Sequence, residues 1–173
     1  MKKVTQEELD QIIAAHKLCL ESGGKSGKRA DLSGVKLCSA NLSGAYLNGA
    51  VLSAADLFNA DLQGARLINA DLHKANLYGA NLSKAKLYGT DLQGADLTGA
   101  NLKGADLQKA NLQGAVLWGA NLIGSRFVAE NSPPSIRDCW TFQRATFSVD
   151  ALPWLILHPK WPHIKHTVQI VDS

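Results

Sequence analysis

With 173 residues and a formal net charge of +3, the chain has room for one domain and lacks the strong one-sign field that by itself implies binding to nucleic acid or a membrane. Hydrophobic residues make up 46% of it but aromatics only 6%, so the apolar content is largely Ala and Leu. Cys19, Cys38 and Cys139 form no CxxC pair, and an odd count without a framework reads as reduced thiols in a cytoplasmic protein.

The start, MKKVTQEELDQII, has acids and amides where a signal peptide is apolar, so none is expected. No stretch approaches the ~20 apolar residues that span a bilayer. Thr5 followed by Glu8 is a capping box, and Leu9, Ile12, Ile13, His16 and Leu20 follow helical spacing until Gly23-Gly24 ends the run. Glu7, Glu8, Asp10 and Glu21 argue against a membrane-surface helix. Residues 1–29 are therefore expected to form a helical cap.

From Ala30 to Ala129 the chain repeats a five-residue phrase twenty times without an insertion. A Leu recurs at every fifth position from Leu32 to Leu122, and Phe127 takes the next slot. Two residues before each centre stands Ala, except at Val35, Thr90 and Ser125, and the residue just before the centre is mostly Asp or Asn. Five residues turn a helix through ~500°, which would scatter the leucines around it. One long strand would put successive leucines on opposite faces. The pattern fits a chain that bends at each pentad, with Leu and Ala pointing to one axis and Asp, Asn and Gly at the bends. Ala accompanies Leu because so narrow an axis has no room for two large side chains.

Phrases such as Ala60-Asp61-Leu62-Gln63-Gly64 and Ala100-Asn101-Leu102-Lys103-Gly104 resemble the tandem A(D/N)LxG units of the pentapeptide-repeat family, over about 100 of the 173 residues. The resemblance implies an all-β solenoid, a right-handed quadrilateral β-helix of four pentads per coil and about five coils. At ~4.8 Å per strand the stack would be roughly 24 Å tall. It also points to a bacterial source, cyanobacteria being rich in the family. A solenoid exposes the ends of its stack, so the N-terminal helix is expected to lay its apolar stripe on the first coil.

Residues 130–173 break the rule. Pro133-Pro134 forbids regular pairing, whereas Trp140-Thr141-Phe142 and Ala145-Thr146-Phe147 return in frame, fifteen and twenty residues past Phe127. The expectation is a loop near residues 130–139, two degenerate pentads, a short helix from Asp150 to Leu157 ended by Pro159, and a strand in the tail HTVQIV. With Trp154, Leu155 and Trp161 these would form a C-terminal lid.

Nothing in the chain reads as an enzyme, a cofactor site or a metal site. Of His16, His73, His158, His163 and His166 the last three cluster in the tail, but Pro159 and Pro162 interrupt that cluster and no Cys or paired carboxylate joins it. The repeat glycines recur at period five, which is wrong for a phosphate loop. A catalytic reading would need a cavity in which His158, His163 and Asp138 converge. A branch of the resembled family, the quinolone-resistance and gyrase-protecting proteins, is thought to imitate DNA through an acidic rod. Here seven acids face eight bases between residues 30 and 129, and near neutrality does not imitate a polyanion.

Four pentads per coil would stack residues twenty apart. One face then holds Tyr46, Arg66, Lys86, Asp106 and Arg126, with Lys109 beside them, gathering half of the array's bases with one acid. A second face, read as adjacent to it, carries an outward stripe of Cys38, Phe58, Tyr78, Thr98 and Trp118. The stripe reads either as stacking between coils or as an interface. The sequence thus predicts a non-catalytic rigid scaffold for protein–protein interaction, cytoplasmic, a monomer or weak dimer. Its partner would be a protein of acidic character rather than nucleic acid or membrane. The alternative is a DNA-mimicking inhibitor of a nucleic-acid enzyme such as gyrase.

Overall fold

The computed structural model describes residues 1–126 together with the backbones of 146–148 and 169–171. Helix α1 spans Gln6–Glu21. Its start is fixed reciprocally: the Glu8 N–H donates to Thr5 Oγ1 at 3.1 Å and the Thr5 N–H donates to Glu8 Oε2 at 2.8 Å. Its end is fixed by the Gly24 N–H, which donates to the Cys19 carbonyl at 2.8 Å while Gly23 and Gly24 take the left-handed conformation. Leu9 is buried in the same apolar core as the leucines of the coils, with Ile12 and Ile13 packed on its edge. His16 is also buried, but Leu20, expected on the same stripe, is 41% exposed. The cause is the chain's return from the helix. Gly27 lies so close to Ala15 O and Cys19 N that a Cβ there would collide with both, and the Lys28 N–H donates to Ala15 O. That segment covers the side of Ala15 and Cys19, not that of Leu20.

The repeat is a coil of twenty residues. Parallel bridges join each residue before a Leu centre to the one twenty positions on, from Asp31↔Val51 to Asp106↔Arg126. The pentad around Leu57 illustrates where the backbone groups go. The Ala60 N–H closes a turn on Leu57 O, Leu57 and Asn59 donate to Asn76 O and Tyr78 O of the next coil, and Asp56 donates to Val35 O of the previous one. One turn bond and three inter-coil bonds thus account for four of the pentad's five N–H groups. The turn has its third residue at positive φ, the type II geometry that favours Gly, and Gly indeed fills most such positions, including Gly64, Gly79 and Gly94.

Leu and Ala columns fill the interior and are buried from Ala30 to Leu122, apart from the half-buried Ala40 and Ala45 packed against it. Each fully buried Leu contributes about 1.5–3 kcal/mol. The departures from Ala are accommodated individually: Val35 is simply buried, Thr90 Oγ1 donates to Leu67 O at 2.7 Å, and Ser125 Oγ donates to Leu122 O at 2.7 Å. At the N-terminal end, Lys3 pairs with Lys36 and the Lys36 N–H donates to Lys2 O, so the segment before α1 adds one more rung.

At the other end, strands β1 (Asn121–Leu122), β2 (Thr146–Ser148) and β3 (Gln169–Val171) form a parallel sheet in that order. Leu122 pairs with Phe147, and Phe147 with Ile170. Twenty residues past Phe127 would set Phe147 over that side of the coil. The pairing sets its backbone over Leu122 instead, one side earlier, so the intervening chain is one pentad longer than a coil. Strand β3 falls within the expected tail strand. Phe127, Cys139, the expected loop, the pentad at Trp140 to Phe142, and the expected helix with Trp154, Leu155 and Trp161 lie outside the described residues.

Candidate interaction faces

Outside the coil, the residue before each centre does more than tolerate a bend. In Asp31, Asn41, Asp61, Asp71, Asn76, Asn81 and others, the side-chain oxygen accepts the N–H two residues on, for example Gln63 N–H to Asp61 Oδ1 at 3.0 Å. This satisfies a donor that no coil neighbour takes. The same side chains join between coils: Asn81 Nδ2 donates to Asp61 Oδ1 at 2.9 Å, Asn101 to Asn81 and Asn121 to Asn101, each at 3.3 Å. Asn at the twenty-residue positions above Asp61 was the available sign of this ladder, since only the amide can donate to the oxygen below it.

The basic column departs from that chemistry. Tyr46, Arg66, Lys86, Asp106 and Arg126 follow one another in register. Arg66 supplies no oxygen for the Ile68 N–H, which turns to Asn48 Oδ1 of the coil below at 3.1 Å. Two cations share the Tyr46 ring, Lys17 of α1 at 4.9 Å and Arg66 at 5.1 Å from its centroid. Lys109 lies 5.2 Å over the Tyr88 ring, and the Tyr88 side chain holds the ammonium pKa above the usual lysine value. Arg126 pairs with Asp106 at 3.6 Å. Lys17, absent from the sequence-derived set, joins this face because α1 packs on the first coil; the repeat register cannot place it.

The aromatic stripe is also formed. Phe58, Tyr78 and Trp118 are 40%, 44% and 39% exposed, and Phe58 stacks on Tyr78 with ring centroids 5.5 Å apart and planes 17° apart. Cys38 begins the stripe, its Sγ donating to Asp56 Oδ2 at 3.0 Å. That bond, with burial second, raises the thiol pKa. The stripe is not adjacent to the basic column. Its Leu centres precede those of the basic column by ten residues, half of a twenty-residue coil, so the two stripes occupy opposite sides.

Nothing in the described residues resembles a catalytic centre. Asp71 Oδ1 accepts the His73 N–H at 3.0 Å and lies 2.7 Å from His73 Nδ1. No group of three His, Cys, Asp or Glu among the described residues could hold a metal ion. A shallow recess of about 330 Å³ lies at α1 between Lys2, Val4, Glu8, Gln11 and Ile12. His158, His163, His166 and Asp138 lie outside the described residues. No described helix is long and apolar enough to cross a membrane.

A parallel coil with a Leu/Ala interior and its variable chemistry confined to outer columns defines a β-solenoid repeat protein. The chain belongs to the pentapeptide-repeat family: the model of pentapeptide repeats matches eight copies, over residues 30–67, 55–94 and 90–128. Proteins of this family fold as right-handed quadrilateral β-helices and are generally non-catalytic. Among similar solved structures, Rfr23 from the cyanobacterium Cyanothece 51142 is 37% identical, with 56% of this chain and 76% of that one covered and a TM-score of 0.45. A pentapeptide repeat protein of the Arabidopsis thaliana thylakoid lumen is 31% identical, covering 68% and 81% of the two chains at a TM-score of 0.33. QnrB1, a plasmid-mediated fluoroquinolone resistance protein, is 18% identical, covering 70% and 73% at a TM-score of 0.42. No curated protein matches the chain.

Proposed function

We propose that this protein is a non-catalytic, rigid rod that recruits another protein to its outer columns, with α1 closing one end of the stack. The observation that carries the reading is the unbroken register of bridges from Asp31 to Arg126 around a filled Leu/Ala interior. Such a coil has no interior space for a substrate, yet it holds its outward side chains at fixed separations, which favours recognition by a preorganised surface. The basic column and the opposite aromatic stripe are the two working surfaces of this reading, and a cytoplasmic setting suits its free thiols. The test is capture of partners from native lysate by immobilised protein, comparing the parent with Arg66→Glu/Lys86→Glu/Arg126→Glu and with Phe58→Ala/Tyr78→Ala. Loss of a captured protein in one variant, with thermal unfolding unchanged, is the expected result. If neither variant alters what is captured, the rod has no working surface in these columns and the reading fails.

A further inference from the structure

The basic column differs from the other columns in how its charges are met. Along the column of Asp61, Asn81, Asn101 and Asn121, each amide donates to the oxygen in the coil below, so the one carboxylate is bonded. Arg66 and Lys86, by contrast, are bridged neighbours, both exposed, at the ~4.8 Å spacing of parallel strands. Neither is in an ion pair among the described residues, whose salt bridges are Lys17–Glu21, His73–Asp71 and Arg126–Asp106. Two stacked cations repel each other, and Arg66 also forgoes the turn bond that Asp or Asn would make. The Tyr46 ring under Arg66 and Asp106 in the coil above Lys86 offset part of that repulsion, but neither cation is ion-paired, and a bound anion would meet both.

Lys109, over the Tyr88 ring, adds a positive charge beside that pair, and Lys17 and Arg126 flank it although each already meets a carboxylate, Glu21 and Asp106. Its chemistry favours separate carboxylates over a phosphate backbone. Asp106 stands in the column between Lys86 and Arg126, in the path of any continuous row of phosphates. The rings of Tyr46 and Tyr88 already carry cations, so they are poor platforms for the base stacking on which single-strand binding relies. A peptide can instead place acids opposite Arg66 and Lys86 and a neutral residue opposite Asp106. A guanidinium takes a carboxylate through two parallel hydrogen bonds, which adds orientation to charge.

We propose that the column centred on Arg66 and Lys86 binds an acidic peptide segment of the partner protein, laid along the stacking direction of the coils. This rests on the scaffold reading and names the chemistry of its partner.

The experiment is fluorescence anisotropy at low ionic strength with a labelled short poly-glutamate peptide, and in parallel with a labelled oligothymidylate of equal length. Poly-glutamate is expected to bind, to weaken as salt rises, and to lose about tenfold or more in affinity to Arg66→Glu/Lys86→Glu. Arg66→Gln/Lys86→Gln, which introduces no new charge, is expected to lose part of that affinity. Phe58→Ala/Tyr78→Ala, on the opposite side, is expected to bind as the parent does. Absence of poly-glutamate binding, or binding by Arg66→Glu/Lys86→Glu as tight as the parent's, overturns the proposal. Tighter binding of oligothymidylate overturns it as well and assigns the column to nucleic acid. If poly-glutamate fails while lysate capture still depends on an outer column, only this inference falls, and the scaffold reading stands.

Discussion

His16 Nδ1 accepts the main-chain N–H of Ala30 at 3.1 Å, which joins helix α1 to the first residue of the first coil. The other ring nitrogen, Nε2, lies 3.1 Å from Asn48 O. Only the neutral ring with its proton on Nε2 can make both bonds, because a carbonyl accepts and Ala30 N donates. Burial, and secondarily the nearby Arg29 cation, hold the imidazole pKa below its usual 6.5, while the bond to Asn48 O opposes them. Between the folded value and 6.5 the unfolded chain binds more protons than the folded one. Stability therefore rises with pH across that window, is complete above it, and is lost as pH falls toward the folded value. The protection factors of the α1 amides, which correct exchange for its intrinsic slowing in acid, are expected to fall between about pH 7.5 and about pH 5. His16→Gln is expected to flatten that dependence. Protection factors that do not change with pH in the parent would refute the link.

Ala54 and Lys84 stand at the turn position that most coils fill with Gly, at φ of 53° and 59°. A side chain in the left-handed region costs about 1–2 kcal/mol, against about 0.5–1 kcal/mol for the extra freedom of Gly when unfolded. Ala54→Gly is expected to raise stability by about 0.5–1 kcal/mol. The reverse change at Gly79, φ 66°, meets a second obstacle, because its new Cβ would collide with Asn59 Oδ1 of the coil below. Gly79→Ala is expected to cost about 1–3 kcal/mol. Urea midpoints measure both, and a lower midpoint for Ala54→Gly would contradict the turn assignment.

Asn101 is the middle of a ladder. It donates to Asn81 Oδ1, accepts from Asn121 Nδ2, and accepts the Lys103 N–H at 3.2 Å. Asn101→Ala removes all three bonds and is expected to destabilise by about 1–2 kcal/mol. Lys103→Ala, at the exposed neighbour, is expected to stay within about 0.5 kcal/mol of the parent. Equal urea midpoints for the two variants would mean the ladder adds nothing.

The coil was legible in the sequence because each pentad's surroundings are made by other pentads, so a local period states the tertiary contacts. Twenty-residue stacking therefore placed Tyr46, Arg66, Lys86 and Arg126 correctly in one column. The relation between columns needed a further step around the coil. Phe58 and Tyr78, read as lying on a face next to Arg66, are half a turn away. Legibility ended where contacts stop repeating. The exposure of Leu20 depends on the path of Gly27, and the pairing of Phe147 with Leu122 depends on the length of a non-repeating segment. The turn bonds of Asp and Asn were hidden for another reason: bend preference and side-chain capping favour the same residues, so composition cannot separate them.

Arg66 offers a way to separate them by measurement. Where Asp61 or Asn81 accepts the N–H two residues on, Arg66 cannot, and the Ile68 N–H takes Asn48 Oδ1 from the coil below. Asn48→Ala should therefore leave the Ile68 N–H without that acceptor and cost about 1 kcal/mol. In an Arg66→Asn background the new side chain can accept the same N–H from its own pentad, as Asn41 does for Ser43 at 3.1 Å. The cost of Asn48→Ala should then fall by about half or more, giving a double-mutant coupling of about 0.5–1 kcal/mol. The main-chain carbonyl of Asn48, which meets His16, is unaffected by either change. Strict additivity in urea unfolding would show that Asn48 does not replace a missing turn acceptor. Coupling would show that the basic column departs from the repeat at a local cost that a neighbouring coil offsets.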